Sequence, residues 1–292
     1  MIKGSIVALI TPFKNGSIDY EALENLIEFH ISKGTDGIVP CGTTGESATL
    51  SHKEHIELID FVVKKVKGRV PVIAGTGSNS TKEAIELAIA AKESGADAHL
   101  SIVPYYNKPT QEGLYQHFKA IAEAVDLPMI LYNVPGRTAL NMTAETIGRL
   151  SKIKNVIGIK EATGDLRQAI EIMENVGSNF LLLSGDDFVN LPLLSIGGVG
   201  AISVTANIVP DKVAAIFRHY EKGEFDKAKS VNLELYPLHR AMFIETNPIP
   251  VKTAAYLMGL IDVLEFRLPL CNMKKENEDK LKNVLKDKGL IK

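Results

Sequence analysis

Eight times along this chain a short run rich in aliphatic and β-branched residues gives way to an amphipathic stretch of several helical turns. The runs fall at residues 5–10, 37–40, 70–74, 98–103, 128–132, 156–160, 180–184 and 201–204. The stretches that follow them lie at 20–33, 52–67, 82–94, 111–124, 144–152, 166–176, 188–196 and 210–222. A strand followed each time by a helix is the unit of a parallel sheet, because a parallel neighbour is reached only by a crossover and the helix supplies it. Strands buried on both faces should be apolar without interruption, and Val156-Ile157-Gly158-Ile159 and Phe180-Leu181-Leu182-Leu183 read that way. Eight such units close into a barrel. The rival, an open doubly wound sheet, carries a Gly-x-Gly-x-x-Gly turn after its first strand, where Thr11-Pro12-Phe13 stands here. The expected fold class is therefore α/β, a (β/α)8 TIM barrel with a C-terminal helical extension.

The length of 292 residues exceeds the ~250 of a plain barrel and leaves room for that extension. Beyond Gly223 the pattern is helical only, at 225–243, 250–259 and 275–286, with Asn247-Pro248-Ile249-Pro250 read as a hinge. The expected division is a catalytic barrel over 1–223 and a helical extension over 224–292. With 45% hydrophobic and 23% charged residues, a formal net charge of -2 and both signs interspersed, the composition argues against disorder and against a nucleic-acid partner. Residues 6–10 are too short an apolar run for a secretory signal, and no later run approaches the ~20 residues that span a bilayer. A cytoplasmic protein with no membrane partner is expected, with Cys41 and Cys271 as reduced thiols.

In barrel enzymes the chemistry gathers where strands run into the following loops. Those ends are polar here: Thr11, Gly42-Thr43-Thr44-Gly45-Glu46, Gly75-Thr76-Gly77, Tyr105-Tyr106-Asn107, Tyr132-Asn133, Lys160-Glu161, Gly185-Asp186-Asp187 and Thr205-Ala206-Asn207. Lys160 closes an apolar strand, where loss of water disfavours an ammonium and favours the neutral amine that attacks a carbonyl. The alternative is a lysine paired with Glu161, but strand alternation sends Glu161 to the opposite face. A Schiff-base reaction also needs a proton carrier. Tyr132, ending the neighbouring strand, serves as that carrier or simply closes the barrel core. Thr43 and Thr44, flanked by glycines, present hydroxyls and amides to a carboxylate or make a plain tight turn. Arg137 either forks onto a second substrate's carboxylate or forms a solvated ion pair. Asp186 and Asp187 read as a helix cap before a metal site, and His52 with His55 as a surface pair. Gly75-Thr76-Gly77-Ser78-Asn79 lacks the lysine of a phosphate loop. No metal and no organic cofactor is expected.

Three segments, Gly42-Thr43-Thr44-Gly45-Glu46, Tyr132-Asn133-Val134-Pro135-Gly136-Arg137-Thr138 and Gly158-Ile159-Lys160-Glu161-Ala162, together resemble the 4-hydroxy-tetrahydrodipicolinate synthase (dihydrodipicolinate synthase) family. The likeness runs almost end to end, through Pro104-Tyr105-Tyr106-Asn107, Leu183-Ser184-Gly185-Asp186-Asp187, Ile202-Ser203-Val204-Thr205-Ala206-Asn207 and Asn247-Pro248-Ile249-Pro250-Val251-Lys252. The lysine strand and the Tyr-x-x-Pro segment are common to the wider pyruvate-dependent class I aldolases, N-acetylneuraminate lyases included. Thr43-Thr44 combined with Arg137 points to the synthases. The resemblance implies condensation of pyruvate with L-aspartate 4-semialdehyde to 4-hydroxy-tetrahydrodipicolinate, the entry to diaminopimelate and lysine.

By that likeness Lys160 forms the imine, Tyr132 is the general acid and base, and Thr44 links Tyr132 to Tyr106 of the partner subunit. Thr43 and Thr44 hold the pyruvate carboxylate, Arg137 receives that of the semialdehyde, and Gly185 and Ile202 complete the substrate site. A homotetramer built as a dimer of dimers is implied. Ser47, Ala48, His52, His55, Asn79, Glu83 and Tyr105 match the family's site for lysine as an allosteric inhibitor, which raises the standing of the histidine pair. The departure there is Ser78, where some lysine-sensitive relatives carry alanine. Two alternatives stay open: another pyruvate aldolase with a different aldehyde, and a catalytically silent barrel acting as a sensor, which would have lost a relay residue.

Overall fold

The computed structural model describes residues 2–292. Eight parallel strands form one sheet: β1 (Gly4–Ala8), β2 (Gly37–Val39), β3 (Ile73–Gly75), β4 (Ala98–Ile102), β5 (Met129–Asn133), β6 (Val156–Glu161), β7 (Leu181–Ser184) and β8 (Gly200–Ser203). Their order in space is β2-β1-β8-β7-β6-β5-β4-β3, and a parallel bridge from Ile38 to Val72 joins the two ends, so the sheet closes on itself as expected. Between them run α1 (Tyr20–Ser32), α2 (His52–Val66), α3 (Thr81–Glu93), α4 (Gln111–Ala124), α5 (Ala144–Leu150), α6 (Leu166–Asn175), α7 (Asn190–Ser195) and α8 (Pro210–Glu221). A small hairpin, Phe13–Lys14 with Ser17–Ile18, and a helical turn at Pro135–Thr138 sit in the loops.

Strand alternation builds two apolar layers from one set of sequences. Ile6, Ala8, Val39, Ile73, Leu100, Ile130, Leu183 and Ile202 fill the barrel interior. Their neighbours Val7, Ile38, Leu131, Ile159 and Leu182 point outward into the helical shell. Truncating a fully buried residue of that shell such as Ile159 costs about 2–5 kcal/mol. Helix starts are set locally. Asp19, Thr110 and Thr143 each accept a hydrogen bond from a first-turn amide, and Ser51 makes a reciprocal box with Glu54.

The C-terminal helices are α9 (Phe225–Met242), α10 (Ile249–Leu257) and α11 (Lys275–Asp287). Helix α9 lies along α8, and α11 buries Leu281 and Leu285 against α9 and α10. All residues from Ile249 to Ala255 are buried. In the segment 247–250, read from its prolines as a hinge, Asn247 is anchored at the barrel mouth through both its side chain and its carbonyl. Among the described residues no helix is long and apolar enough to cross a membrane.

Candidate active site

The register of β5 and β6 pairs Tyr132 with Lys160. Residues paired across a sheet share a face, so both side chains enter the barrel mouth, and Lys160 Nζ lies 4.2 Å from the centre of the Tyr132 ring. Both residues are buried, at 6% and 7% exposure, on the wall of one cavity of about 480 Å³. Gly185, after β7, makes room for the lysine stem: a Cβ there would stand 2.9 Å from Lys160 Cγ and 2.6 Å from Ala162 Cβ. Ile202 belongs to the apolar layer beneath, with Tyr132 and Leu183.

Glu161 points the other way, as alternation requires. Its Oε2 accepts from Asn133 Nδ2 at 3.1 Å and Gln168 Nε2 at 3.2 Å, and its Oε1 from the Thr163 amide at 2.8 Å. Burial pushes its carboxyl above the usual range, against these donors. Lys160 is therefore not committed to its sequence neighbour.

Opposite them the turn 42–46 is closed by Gly45 N to Gly42 O (3.0 Å) and Glu46 N to Thr43 O (3.1 Å), while Thr11 Oγ1 donates to Gly45 O (2.7 Å). Thr43 lines the cavity. Buried Thr44 accepts at Oγ1 from Asn247 Nδ2 at 3.0 Å, which leaves its own hydroxyl proton free to donate. Arg137, on the cavity wall, donates to the Asn247 carbonyl at 2.9 Å and keeps further N–H groups for a ligand. Asn247 thus braces a threonine and the arginine together. Sequence reasoning read it as part of a hinge and gave it no role in the site, since nothing local connects it to partners 203 and 110 residues away.

Tyr106 stands apart. It is 90% exposed, adopts φ 73°, and is absent from the cavity wall of its own chain. Positive φ is unfavourable for a bulky residue. The loop is tied down by Asn79 Nδ2 to Tyr105 O (3.1 Å) and Asn107 Nδ2 to Asn79 O (2.8 Å).

The same cavity continues past the turn to Ser47, Ala48, His52, His55, Glu83 and Tyr105, with Asn79 just behind Tyr105. His52 is exposed but His55 is buried, so the two are not the surface pair that spacing suggested. His55 Nε2 meets the Gly75 carbonyl at 2.6 Å; a carbonyl only accepts, so that nitrogen carries the proton. Burial lowers its pKa below the ordinary histidine value. Glu83 accepts from Ser78 Oγ at 2.7 Å. The remaining polar strand ends are occupied. Asp187 accepts from the Val204 and Thr205 amides and from Asn190, Asp186 caps Phe188 N, and Thr76 bonds His99. Asp186 is a cap, as the sequence suggested, whereas Asp187 ties the short helix it opens to the segment after β8.

A buried lysine beside a phenol, with the Thr43 hydroxyl and a guanidinium on the same cavity wall, suits carbonyl chemistry on a substrate with a carboxylate. Comparisons with known proteins give the family. The model of the dihydrodipicolinate synthetase family matches residues 1–288. The 4-hydroxy-tetrahydrodipicolinate synthase of Thermodesulfovibrio yellowstonii is 57% identical over 292 residues, the whole of both chains. The dihydrodipicolinate synthase of Acinetobacter baumannii, solved in complex with pyruvate, superimposes with a TM-score of 0.97 at 49% identity over 100% of each chain. That of Cyanidioschyzon merolae, solved with lysine bound, gives 0.96 at 43% identity over 99% of each. The chain therefore belongs to the dihydrodipicolinate synthetase family.

Proposed function

We propose that this enzyme condenses pyruvate with L-aspartate 4-semialdehyde through a lysine Schiff base, giving 4-hydroxy-tetrahydrodipicolinate in lysine and diaminopimelate synthesis. The observation that carries this reading is the placement of Lys160 Nζ 4.2 Å from the Tyr132 ring at the barrel mouth, within a family of synthases. Lys160 attacks the pyruvate carbonyl, and loss of water from the carbinolamine gives the imine. Removal of a methyl proton then yields an enamine, whose carbon attacks the aldehyde; the semialdehyde's amine then attacks the re-formed imine carbon, closing the ring and expelling Lys160 as the free amine. Each step moves a proton near one carbon, and Tyr132 is the group there able to give and take it. Thr43 and Thr44 hold the pyruvate carboxylate, Gly185 and Ile202 shape the space around it, and Arg137 receives the carboxylate of the semialdehyde.

Thr44, with its hydroxyl proton free, passes protons between Tyr132 and Tyr106 of the partner subunit. The exposure and positive φ of Tyr106 support that role, since a strained aromatic held out in solvent is better explained by a neighbour that receives it. This requires at least a dimer, and the family likeness extends it to a homotetramer in the cytoplasm. Lysine is the proposed inhibitor, bound by Ser47, Ala48, His52, His55, Asn79, Glu83 and Tyr105. Glu83 offers a carboxylate for an ammonium, and the shared cavity gives a short route to the turn.

Treatment with pyruvate and borohydride tests the mechanism. A reduced adduct should appear on Lys160 and vanish in Lys160→Ala, and activity lost to a chelator without any trapped adduct would overturn it. Pairing pyruvate with aspartate semialdehyde or with N-acetylmannosamine then fixes the second substrate. Calorimetry should detect lysine binding at millimolar concentration or below, with inhibition that saturating semialdehyde does not relieve. Absence of heat would remove the inhibitor site.

A further inference from the structure

Of the ion pairs among the described residues, Lys252–Glu46 alone has both side chains wholly out of water, with Nζ 2.6 Å from Oε1. Neither residue has a part in the chemistry above. Such a pair is an expensive way to hold a fold, because the desolvation of two charges offsets most of their attraction and an apolar pair of similar shape often does as well. Its value has to be sought in geometry.

Glu46 is the last residue of the turn that carries Thr43 and Thr44, and it adopts φ 56°, a left-handed conformation that a side chain disfavours. Local bonds hold it there: its amide donates to Thr43 O, and its carbonyl accepts from Thr49 N and Thr49 Oγ1, both at 3.0 Å. Its carboxylate is gripped from α10 by Lys252. The ammonium in turn lies 4.2 Å from the centre of the Phe13 ring and 5.0 Å from that of Phe266. Phe13 is backed by Arg267, whose guanidinium forks onto Glu54, so the anchor is itself fixed. The same segment of chain that supplies Lys252 begins with Asn247, which holds Thr44 by its amide and Arg137 by its carbonyl.

We propose that Glu46 and Lys252 are positioning residues for pyruvate, the buried pair locking the turn 42–46 to the start of α10 so that Thr43 and Thr44 face Lys160 at a fixed distance. This rests on the reading of those threonines as the carboxylate site. Burial pushes the Glu46 carboxyl up and the Lys252 ammonium down, each countered by the other's charge, so removing one partner alone strands the other in the core. A variant that removes both is the informative one.

Glu46→Leu combined with Lys252→Met should melt near the native temperature and still give a borohydride adduct on Lys160 at saturating pyruvate. Its KM for pyruvate should rise about tenfold to a hundredfold, the range for losing one charge-assisted hydrogen bond, while kcat falls much less. A pair that merely supported the fold would move the melting temperature and leave that split unchanged. Native KM for pyruvate in the folded double variant overturns the proposal. Should the double variant not fold, Glu46→Gln keeps the shape and an oxygen for Lys252; a several-fold rise in pyruvate KM supports the proposal and a native value overturns it. Failure of the native enzyme to trap pyruvate would strike the Schiff-base reading instead, whatever the variants do.

Discussion

At the scale of single residues, two cationic side chains reach the same cavity and are suited to different work. Lys160 is enclosed by Tyr132, Gly185 and the apolar barrel interior, a setting for a compact amine that forms and breaks a covalent bond. Arg137 is exposed, lies on a helical turn, and has spent only one of its donors on the Asn247 carbonyl. A fork with spare N–H groups suits a carboxylate that arrives and leaves. Arg137→Ala is expected to lower kcat/KM for the semialdehyde by roughly ten to a thousandfold, the cost of one charge-assisted bond of about 1.5 to 3 kcal/mol or of a bidentate pair. Borohydride trapping of pyruvate should be nearly native in the same variant. Equal loss of both half-reactions would mean that the arginine acts through Asn247 and Thr44 on the pyruvate end of the site.

Among elements, the pairing of β5 with β6 sets Tyr132 beside Lys160, and the loop after β4 carries the exposed Tyr106. The outward neighbours of Tyr132 and Lys160, Asn133 and Glu161, are also paired, and with buried Gln168 they form a hydrogen-bonded network that reaches the surface at Asn141. A one-residue slip would expose that network to the barrel interior, so the register carrying Tyr132 and Lys160 is specified from behind. The loop after β4 lends itself to a complementation test. Lys160→Ala and Tyr106→Phe subunits, each poorly active alone, should regain activity when assembled together if Tyr106 acts across an interface. One site of the mixed pair then has its own Lys160 and the tyrosine of its partner subunit. No recovery in verified mixed dimers would confine Tyr106 to its own chain. Which of these features could be read from sequence follows from range. Periodicity marked all eight strands and their helices, because burial on two faces leaves a local imprint. Strand β3 begins later than the run at 70–74 suggested, since Pro71 offers no amide to the sheet. The hairpin at Phe13–Ile18 and the turn at Pro135–Thr138 are too short for any period to show. Asn247 and the Glu46–Lys252 pair were invisible for the opposite reason, their partners being some two hundred residues away.

Over the whole molecule, one arrangement recurs in four separate places. His30, His99, His117 and His239 are buried, each has Nδ1 against a threonine hydroxyl (Thr35, Thr76, Thr81 and Thr205) at 2.8 to 3.1 Å, and each has Nε2 without a partner. A second proton on any of these rings would put a charge and an unsatisfied N–H into the core. Burial accordingly holds His30 at about 3 and His99 and His117 at about 4, whereas His239, also lowered, feels the opposing pull of Asp186 and Asp187. The native state stays neutral at these sites while the unfolded chain titrates near the ordinary value of 6.5. Stability is therefore fully present above pH 6.5 and falls as pH drops towards the folded values of 4 and 3, because the unfolded state binds protons first. At pH 5 each of the three strongly shifted histidines should cost about 2 kcal/mol. The carboxylates held low, such as Glu54 and Glu224 at about 2, lose their contribution only below the ordinary value of 4.5, so the two windows are separable. Thermal melts from pH 7.5 to 5 should show the midpoint falling from about pH 6.5 downward, with a shallower slope when one of these histidines is replaced by glutamine. A midpoint that holds level to pH 5 and drops only below 4.5 would assign acid sensitivity to the carboxylates and leave the buried histidines without effect.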